Sequence, residues 1–319
     1  MSSSYTKGLH ELGNGIYAYM LPDGSWGWSN AGLITSDGAS MLVDTLLTLK
    51  LTDEMIATMR RSIPATSSFD TLVNSHADAD HTWGNQLIEG AQIIATRSCA
   101  EDIPKLTPED VVKMWSDAPE LGLRARYAQQ IFAPFDLSGI KLTMPTKTFD
   151  GKLSMQVGEK AVDLYELGPA HTRGDLVVHV PGDRVVYVAD LMFVGGHPAV
   201  WAGPLQNWVD ALNRIIDLDA DIVVPGHGPV TDNDGVRRLR DYLLYVDSEG
   251  KRFHAEGLSA WEAALAIDLS DYEGWNCEER IVLAMDTVYR DVEDNLGPRD
   301  QLATWEDMGR YFDLKGWLR

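Results

Sequence analysis

The chain has 319 residues, 45% of them hydrophobic and 24% charged, which is ordinary for a folded protein and long enough for one large α/β core with an appendage. Acidic residues outnumber basic ones 48 to 27, a net charge of −21 that repels nucleic-acid phosphates and anionic lipid, so neither nucleic acid nor a membrane is an expected partner. There is no apolar run of bilayer length, residues 1–7 lack the apolar stretch of a secretion signal, and Cys99 and Cys277 lie too far apart in sequence for a metal-type spacing; the expectation is a cytoplasmic protein without disulfides, acting on a small molecule.

Short β-type runs open the chain at 15–20, 31–35 and 40–44, with Ser36-Asp37-Gly38 turning the last two into a hairpin. Leu51, Met55, Ile56 and Met59 at helical spacing predict a helix over about 48–63. A short buried strand at 71–74 then runs straight into Ser75-His76, and another is predicted at 92–95. Residues 108–135 read as mainly helical, and 147–167 as β structure broken by turns such as Asp150-Gly151. Strands at 176–180 and 185–189 are joined by a Pro-Gly-Asp turn, followed by a helix over 206–217 and a strand at 222–224. From Asp232 onward helical patterning dominates. Two strand-rich blocks, each followed by helices, fit stacked sheets covered by helices on both outer faces.

The chemistry concentrates in Asn74-Ser-His76-Ala-Asp78-Ala-Asp80-His81-Thr-Trp-Gly-Asn85, where four potential ligands fall within six residues. In extended chain, positions i and i+2 point the same way, and the intervening alanines avoid crowding. Asp80 and His81 sit where the chain turns into a helix, and so can face a second ion close to the first. Two cations held ~3.5–4 Å apart call for such a mixed imidazole and carboxylate set, with a bridging carboxylate offsetting their repulsion. Carboxylates this dense without a cation would repel one another. Singly, His171 or His227 would read as a loop histidine that caps a turn.

The run resembles the His-x-His-x-Asp-His motif of the metallo-β-lactamase superfamily, with Asp78 in place of the second histidine. Further landmarks follow in the expected order: Val43-Asp44-Thr45, Gly168-Pro-Ala-His171-Thr, Ala189-Asp190 and Pro225-Gly-His227-Gly. The resemblance covers roughly residues 15–235. It implies a four-layer αββα sandwich over residues 1–254, with a C-terminal helical extension over 255–319 packed on it. It also implies a first metal held by His76, Asp78 and His171, a second by Asp80, His81 and His227, Asp190 bridging both, and Asp44 orienting a ligand rather than binding metal. Two divalent ions are expected. Zinc is the leading choice, and Asp78, a harder and more anionic ligand than imidazole, opens the first site to iron or manganese.

On this reading a water bridging the two ions becomes hydroxide near neutral pH and attacks an ester, lactone, thioester or similar bond. Asp80, or a water on the second ion, returns the proton to the leaving group. His197, in the segment that follows Asp190, is a candidate for a substrate hydrogen bond or proton shuttle, and Trp83, Trp201 and Trp208 for the lining of an apolar pocket. The missing export signal and the lost second histidine argue against an antibiotic-degrading β-lactamase. The alternative is an iron oxidoreductase using the same ligands for oxygen or sulfur chemistry; Asp78 resembles the flavodiiron branch, where a glutamate stands at this position. The absence of a Gly-rich phosphate loop after His227 weakens that reading. A binding protein that merely kept the fold would have lost ligands, which this chain has not. Trp261, Trp275, Trp305 and Trp317 give the tail an aromatic surface that either packs on its own domain or forms a homodimer.

Overall fold

The computed structural model describes residues 5–116, 122–295, 297 and 299–318. The first sheet holds seven strands in chain order: β1 (Gly8–Gly13), β2 (Ile16–Met20), β3 (Ala31–Ser36), β4 (Ala39–Val43), β5 (Thr71–Val73), β6 (Gln92–Thr96) and β7 (Lys147–Phe149). Pairing is antiparallel from β1 to β4 and parallel from β4 to β7. The connections carry α1 (Leu49–Ser62), α2 (Ala79–Thr82), α3 (Arg97–Asp102), α4 (Pro108–Trp115) and α5 (Gly122–Phe132). The second sheet contains β8 (Lys152–Val157), β9 (Lys160–Glu166), β10 (Leu176–Val180), β11 (Val185–Phe193) and β12 (Ile222–His227), with β12 parallel to β11 across α6 (Leu205–Asp217). Four helices complete the chain: α7 (Asn233–Ala255), α8 (Ala260–Ala266), α9 (Ile281–Val292) and α10 (Gln301–Leu314).

Strand alternation produces the layers, because successive side chains point to opposite faces. Ile16, Ala18, Ile34, Met41, Val43, Val73 and Ile94 of the first sheet meet Val162, Leu164, Leu176, Val178, Val185, Tyr187 and Val224 of the second in one buried cluster. The alternate residues Leu33, Leu42, Leu72 and Ile93 face Met55, Ile56 and Met59 of α1. On the other outer face, Val177, Val186, Val188 and Val223 lie under Trp208 and Leu212 of α6 and Leu239 and Leu243 of α7. The result is the expected helix–sheet–sheet–helix order.

The predicted helix over 48–63 is α1, with the Thr48 side chain accepting from the Leu51 amide at its start. The single helical stretch foreseen over 108–135 is two helices, and residues 117–121 between them lie outside the described residues. Strand β1 was not foreseen from the pattern: it is an edge strand, nowhere fully buried, and its alternation is weak. The expected boundary after residue 254 falls at the last residue of α7, and α8, α9 and α10 add their apolar faces to the cluster that α6 and α7 already form. Trp305 is buried there against Tyr127 and Phe132, and Trp275 packs on Tyr242 and Tyr272, so both of these tail aromatics point inward. Among the described residues no helix is long and apolar enough to cross a membrane.

Gly32 and Tyr187 lock the two sheets together. A Cβ on Gly32 would stand 2.3 Å from the Tyr187 ring, so only glycine leaves room for it. The Tyr187 hydroxyl crosses to the first sheet and donates to the carbonyls of Tyr17 (2.9 Å) and Leu33 (3.1 Å). Tyr187→Phe should cost about 1–2 kcal/mol, read as a lowered urea midpoint with an unchanged far-UV spectrum.

Candidate metal centre

Most candidate ligands lie at or just past the carboxyl ends of strands or in the loops beside them, where open α/β sheets place their ligands, and Asp190 lies within the carboxyl half of β11. The chain leaves β5, bends at His76 and Ala77, and is extended again at Asp78, the residue before the short helix α2. His76 and Asp78 therefore lie before α2, and Asp80 and His81 lie within it. The turn is held from behind. Asn74 and Asn85 bond each other, the Asn74 side-chain amide and the Thr45 backbone amide both donate to the His81 carbonyl, and the Ser29 hydroxyl donates to the Asp80 carbonyl.

Asp44 follows β4 with a left-handed φ of 64°, a conformation that Asp tolerates better than most residues. Its carboxylate accepts from the Ser75 amide at 2.7 Å, the Ser75 hydroxyl at 2.6 Å and His81 Nδ1 at 3.0 Å. The Ser75 hydroxyl has one proton, already given to Asp44, so at 2.9 Å it receives Nδ1–H of His76. One buried carboxylate thus holds Nδ1–H on two imidazoles and aims both Nε2 atoms inward. His171 is set the same way by a carbonyl: its Nδ1–H donates to Ala199 O at 2.6 Å.

The inward atoms fall into two groups, His76–His171–Asp190 and Asp80–His81–His227, each with its ligand atoms within 4.8 Å of one another. Asp190 reaches both. Its Oδ2 stands 3.4 Å from His171 Nε2 and 3.2 Å from His227 Nε2, while its Oδ1 is 3.0 Å from His81 Nε2. Asp78 Oδ2 lies 3.1 Å from His171 Nε2 and 3.9 Å from His76 Nε2, at the solvent side of the first group. Asp80 Oδ2 stands 3.4 Å from His227 Nε2. Gly226 allows this approach, since a Cβ there would sit 1.9 Å from Asp190 Oδ1.

The donor set fits divalent cations. Nε2 of His76 is buried without a hydrogen-bond partner, and His81 Nε2 and Asp190 Oδ1 face each other at 3.0 Å out of hydrogen-bond alignment, an arrangement that costs free energy unless a positive charge satisfies it. Burial, with His81 nearby, pushes the His76 imidazole down to about 3 and so favours the neutral form that binds metal. Burial opposes a charge on His171 too, yet its hydrogen bond to Asp78 and the proximity of Asp190 carry it up to about 9. A cation at the first group therefore competes with a proton on His171.

The side chains of all seven expected ligands converge, and Asp44 bonds His81 directly and reaches His76 through Ser75. The remaining candidates are placed differently. Trp83 is 2% exposed in the core beneath the first sheet, and Trp208 is fully buried with its indole donating to Leu191 O, so neither offers a face to a substrate. Trp208 instead backs His171 edge-on at 5.7 Å. His197 is buried, with Nδ1 2.9 Å from the Tyr242 hydroxyl and its ring against Trp275; these partners make it part of the packing rather than a group free to shuttle protons. Trp201 is half-buried beside Trp26 and Trp305. Sequence reasoning missed Ser75, which stands beside a ligand and was hidden only by its ordinary residue type. It also missed Asn30, whose side chain donates to Pro225 O and Gly228 O and straps the loop that carries His227.

Residues 24–227 match the family model of the metallo-beta-lactamase superfamily. The chain is 31% identical over 84 residues to the alpha subunit of 2,4-dinitroanisole O-demethylase from Nocardioides sp., and 26% identical over 137 residues to a linear primary-alkylsulfatase from Pseudomonas sp.. These segments are 26% and 39% of this chain, and 26% of each relative's length. Among solved structures, a stereoselective inverting sec-alkylsulfatase from Pseudomonas sp. superposes with a TM-score of 0.66 at 16% identity, over 92% of this chain and 52% of that one. A metallo-beta-lactamase from Pontibacter korlensis superposes with a TM-score of 0.55 at 15% identity, over 73% of this chain and 96% of its own. The chain spans about half of the sec-alkylsulfatase or less of these larger relatives, and the structural likenesses show a common fold.

Asp44→Asn keeps the shape of the side chain but presents an N–H either to the Ser75 amide or to both the Ser75 hydroxyl and His81, which share one oxygen of Asp44. Metal affinity should fall about 10- to 100-fold in a chelator competition, while the circular dichroism spectrum stays that of the parent.

Proposed function

The chain belongs to the metallo-beta-lactamase superfamily, and from that premise we propose that it is a metal-dependent hydrolase with a binuclear centre, acting on an ester, lactone, thioester or similarly activated bond of a small molecule. The observation that carries the reading is the pair of ligand groups sharing Asp190, with buried lone pairs facing inward from both. His76, Asp78 and His171 would hold one ion, Asp80, His81 and His227 the other, and Asp190 would bridge. Zinc is the leading choice, and Asp78 keeps iron and manganese open.

Two ions held there supply Lewis acidity and a water acidified to near neutrality. The residues supply the rest. Asp44, through Ser75 and directly, keeps His76 and His81 in the tautomer that leaves Nε2 free. Ala199 O does the same for His171. Asp190 lies between the two groups and lets like charges sit close together. Asp80 is less enclosed than Asp190, its side chain 15% exposed against 5%, and so can carry a proton between the centre and a leaving group. Among the half-buried aromatics, Trp201 is tied to His171 through its amide, which donates to the His171 carbonyl, and its ring lies 5.9 Å from that of Trp26. We take these two as the apolar side of the substrate site, in place of Trp83 and Trp208.

The names of the relatives widen the substrate panel to sulfate esters and aryl ethers. Elemental analysis of the purified protein, paired with chromogenic carboxylic esters, lactones, thioesters and alkyl sulfates, is the direct test, and hydrolysis by a protein carrying two ions is the expected result. Turnover under nitrogen separates hydrolysis from the iron oxidoreductase alternative, which needs an oxidant. Asp190→Ala should strip at least one ion and abolish turnover with the fold retained. Full metal content and rate in that variant, or full activity after exhaustive chelation, would end the proposal.

A further inference from the structure

His171 differs from the other histidines of the centre in being oriented by backbone that belongs to no helix or strand. Ala199 O accepts its Nδ1–H at 2.6 Å, and the amides of Trp201 and Ala202 both donate to its carbonyl at 3.0 Å. Residues 197–202 therefore fix both the ring and the main chain of a metal-ligand candidate. Buried irregular backbone needs partners from elsewhere for its polar groups, and here they come from the C-terminal third of the chain. The Asn276 amide donates to Gly195 O at 3.0 Å, and the His197 amide donates to Asn276 O at 2.9 Å. Arg280 Nη1 donates to His197 O at 3.0 Å. Arg299 Nη1 donates to Val200 O at 2.6 Å, one peptide beyond the carbonyl that holds the His171 ring.

Arg299 is the most fully fixed of these. Its side chain is 8% exposed. Nε donates to Asp286 Oδ2 at 2.8 Å. Nη2 donates at 2.5 Å to the Thr287 hydroxyl, which spends its own proton on Leu283 O. α9 thus grips two edges of the guanidinium, and the third edge grips the loop. Only a planar fork of N–H donors can make these three bonds at once; a lysine brings a single, strongly hydrated charge to the same place.

We propose that Arg299 is a positioning residue of the metal centre: by pinning the Val200 peptide it sets the Ala199 carbonyl, and through it the tautomer and direction of His171. The C-terminal helices are on this view a working part of the centre. The inference rests on His171 being a metal ligand, as proposed above.

Arg299→Lys, Thr287→Val and His171→Ala, together with the Arg299→Lys/His171→Ala double variant, should be compared by titrating each metal-free full-length protein with zinc against a chromogenic chelator. Arg299→Lys is expected to weaken binding of the ion at the His171 group about tenfold, at the lower end of what losing a ligand's supporting partner costs. Thr287→Val, which removes one anchor of the guanidinium and leaves its bond to Val200, should weaken it less, and it carries the test if Arg299→Lys does not fold. In the His171→Ala background Arg299→Lys should add nothing. Two outcomes would overturn the proposal: wild-type zinc affinity in both Arg299→Lys and Thr287→Val while His171→Ala loses an ion, or an undiminished effect of Arg299→Lys once His171 is gone. Wild-type affinity in His171→Ala would instead overturn the ligand reading itself, and the role of Arg299 with it.

Discussion

Buried lone pairs that face one another repel, and the whole architecture of the centre is organised around that constraint. Nε2 of His76 is shut away from water with no donor to meet it, and Nε2 of His81 and Oδ1 of Asp190 are buried facing each other at 3.0 Å, where only a positive charge between or on them relieves the burial. Such an arrangement is unfavourable by itself and favourable around positive charge. The two sheets make it sustainable. β4 and β5 deliver Asp44 and the 74–81 turn from one side, while β11 and β12 deliver Asp190 and His227 from the other, and the inter-sheet cluster keeps the two sides in register. The free energy of packing in the rest of the molecule offsets the local cost of pre-forming the site.

Pre-forming it depends on groups that touch no ion. Asp44 is the clearest case: one carboxylate governs two histidines, one directly and one through the single proton of Ser75. The economy has a consequence for tolerance to change. An imidazole that flips its tautomer presents N–H where a lone pair is needed, so the supporting acceptors constrain the chemistry nearly as tightly as the ligands do. His227 has no such partner on Nδ1 and is held by shape instead, with its ring parallel to Phe193 at 5.1 Å and its loop strapped by Asn30.

What the sequence reveals follows from how locally each feature is encoded. Alternation in 16–20 and 31–43 is local and marks its strands, and the ligands of the 76–81 run are neighbours in sequence and mark the site. His171, Asp190 and His227 carry no such local signal, and only their resemblance to the landmarks of a known family joins them to the run. The edge strand β1 has too little burial to write a period into its residues. The misassigned tryptophans show the same limit: Trp83 and Trp208 lie close to ligands in sequence or in space, but whether an indole faces a cleft or the core is settled by tertiary packing, which no short pattern contains. His197 sits in the same segment as the Ala199 carbonyl that matters, yet its own ring turns away to Tyr242.

The parts that would name the substrate lie largely outside the shared motif, which is why membership of the superfamily leaves it open. Trp26 comes from the loop before β3, Trp201 from the irregular segment after β11, and Trp305 from α10, and the three rings meet within 5.4–6.5 Å of one another. The Trp26 indole is fixed by Glu279 of the C-terminal part, and the same carboxylate oxygen accepts from Tyr127 of α5. Arg280, the next residue, lies over the Trp26 ring at 3.9 Å and faces the Phe193 ring that stacks on His227. The C-terminal third therefore contributes both to the packing around Trp26 and Trp201 and to the partners of the backbone that holds His171. On the proposed function, a change of substrate preference in this scaffold would be made where these late helices meet the early loop, since the seven converging side chains would admit little variation without loss of metal.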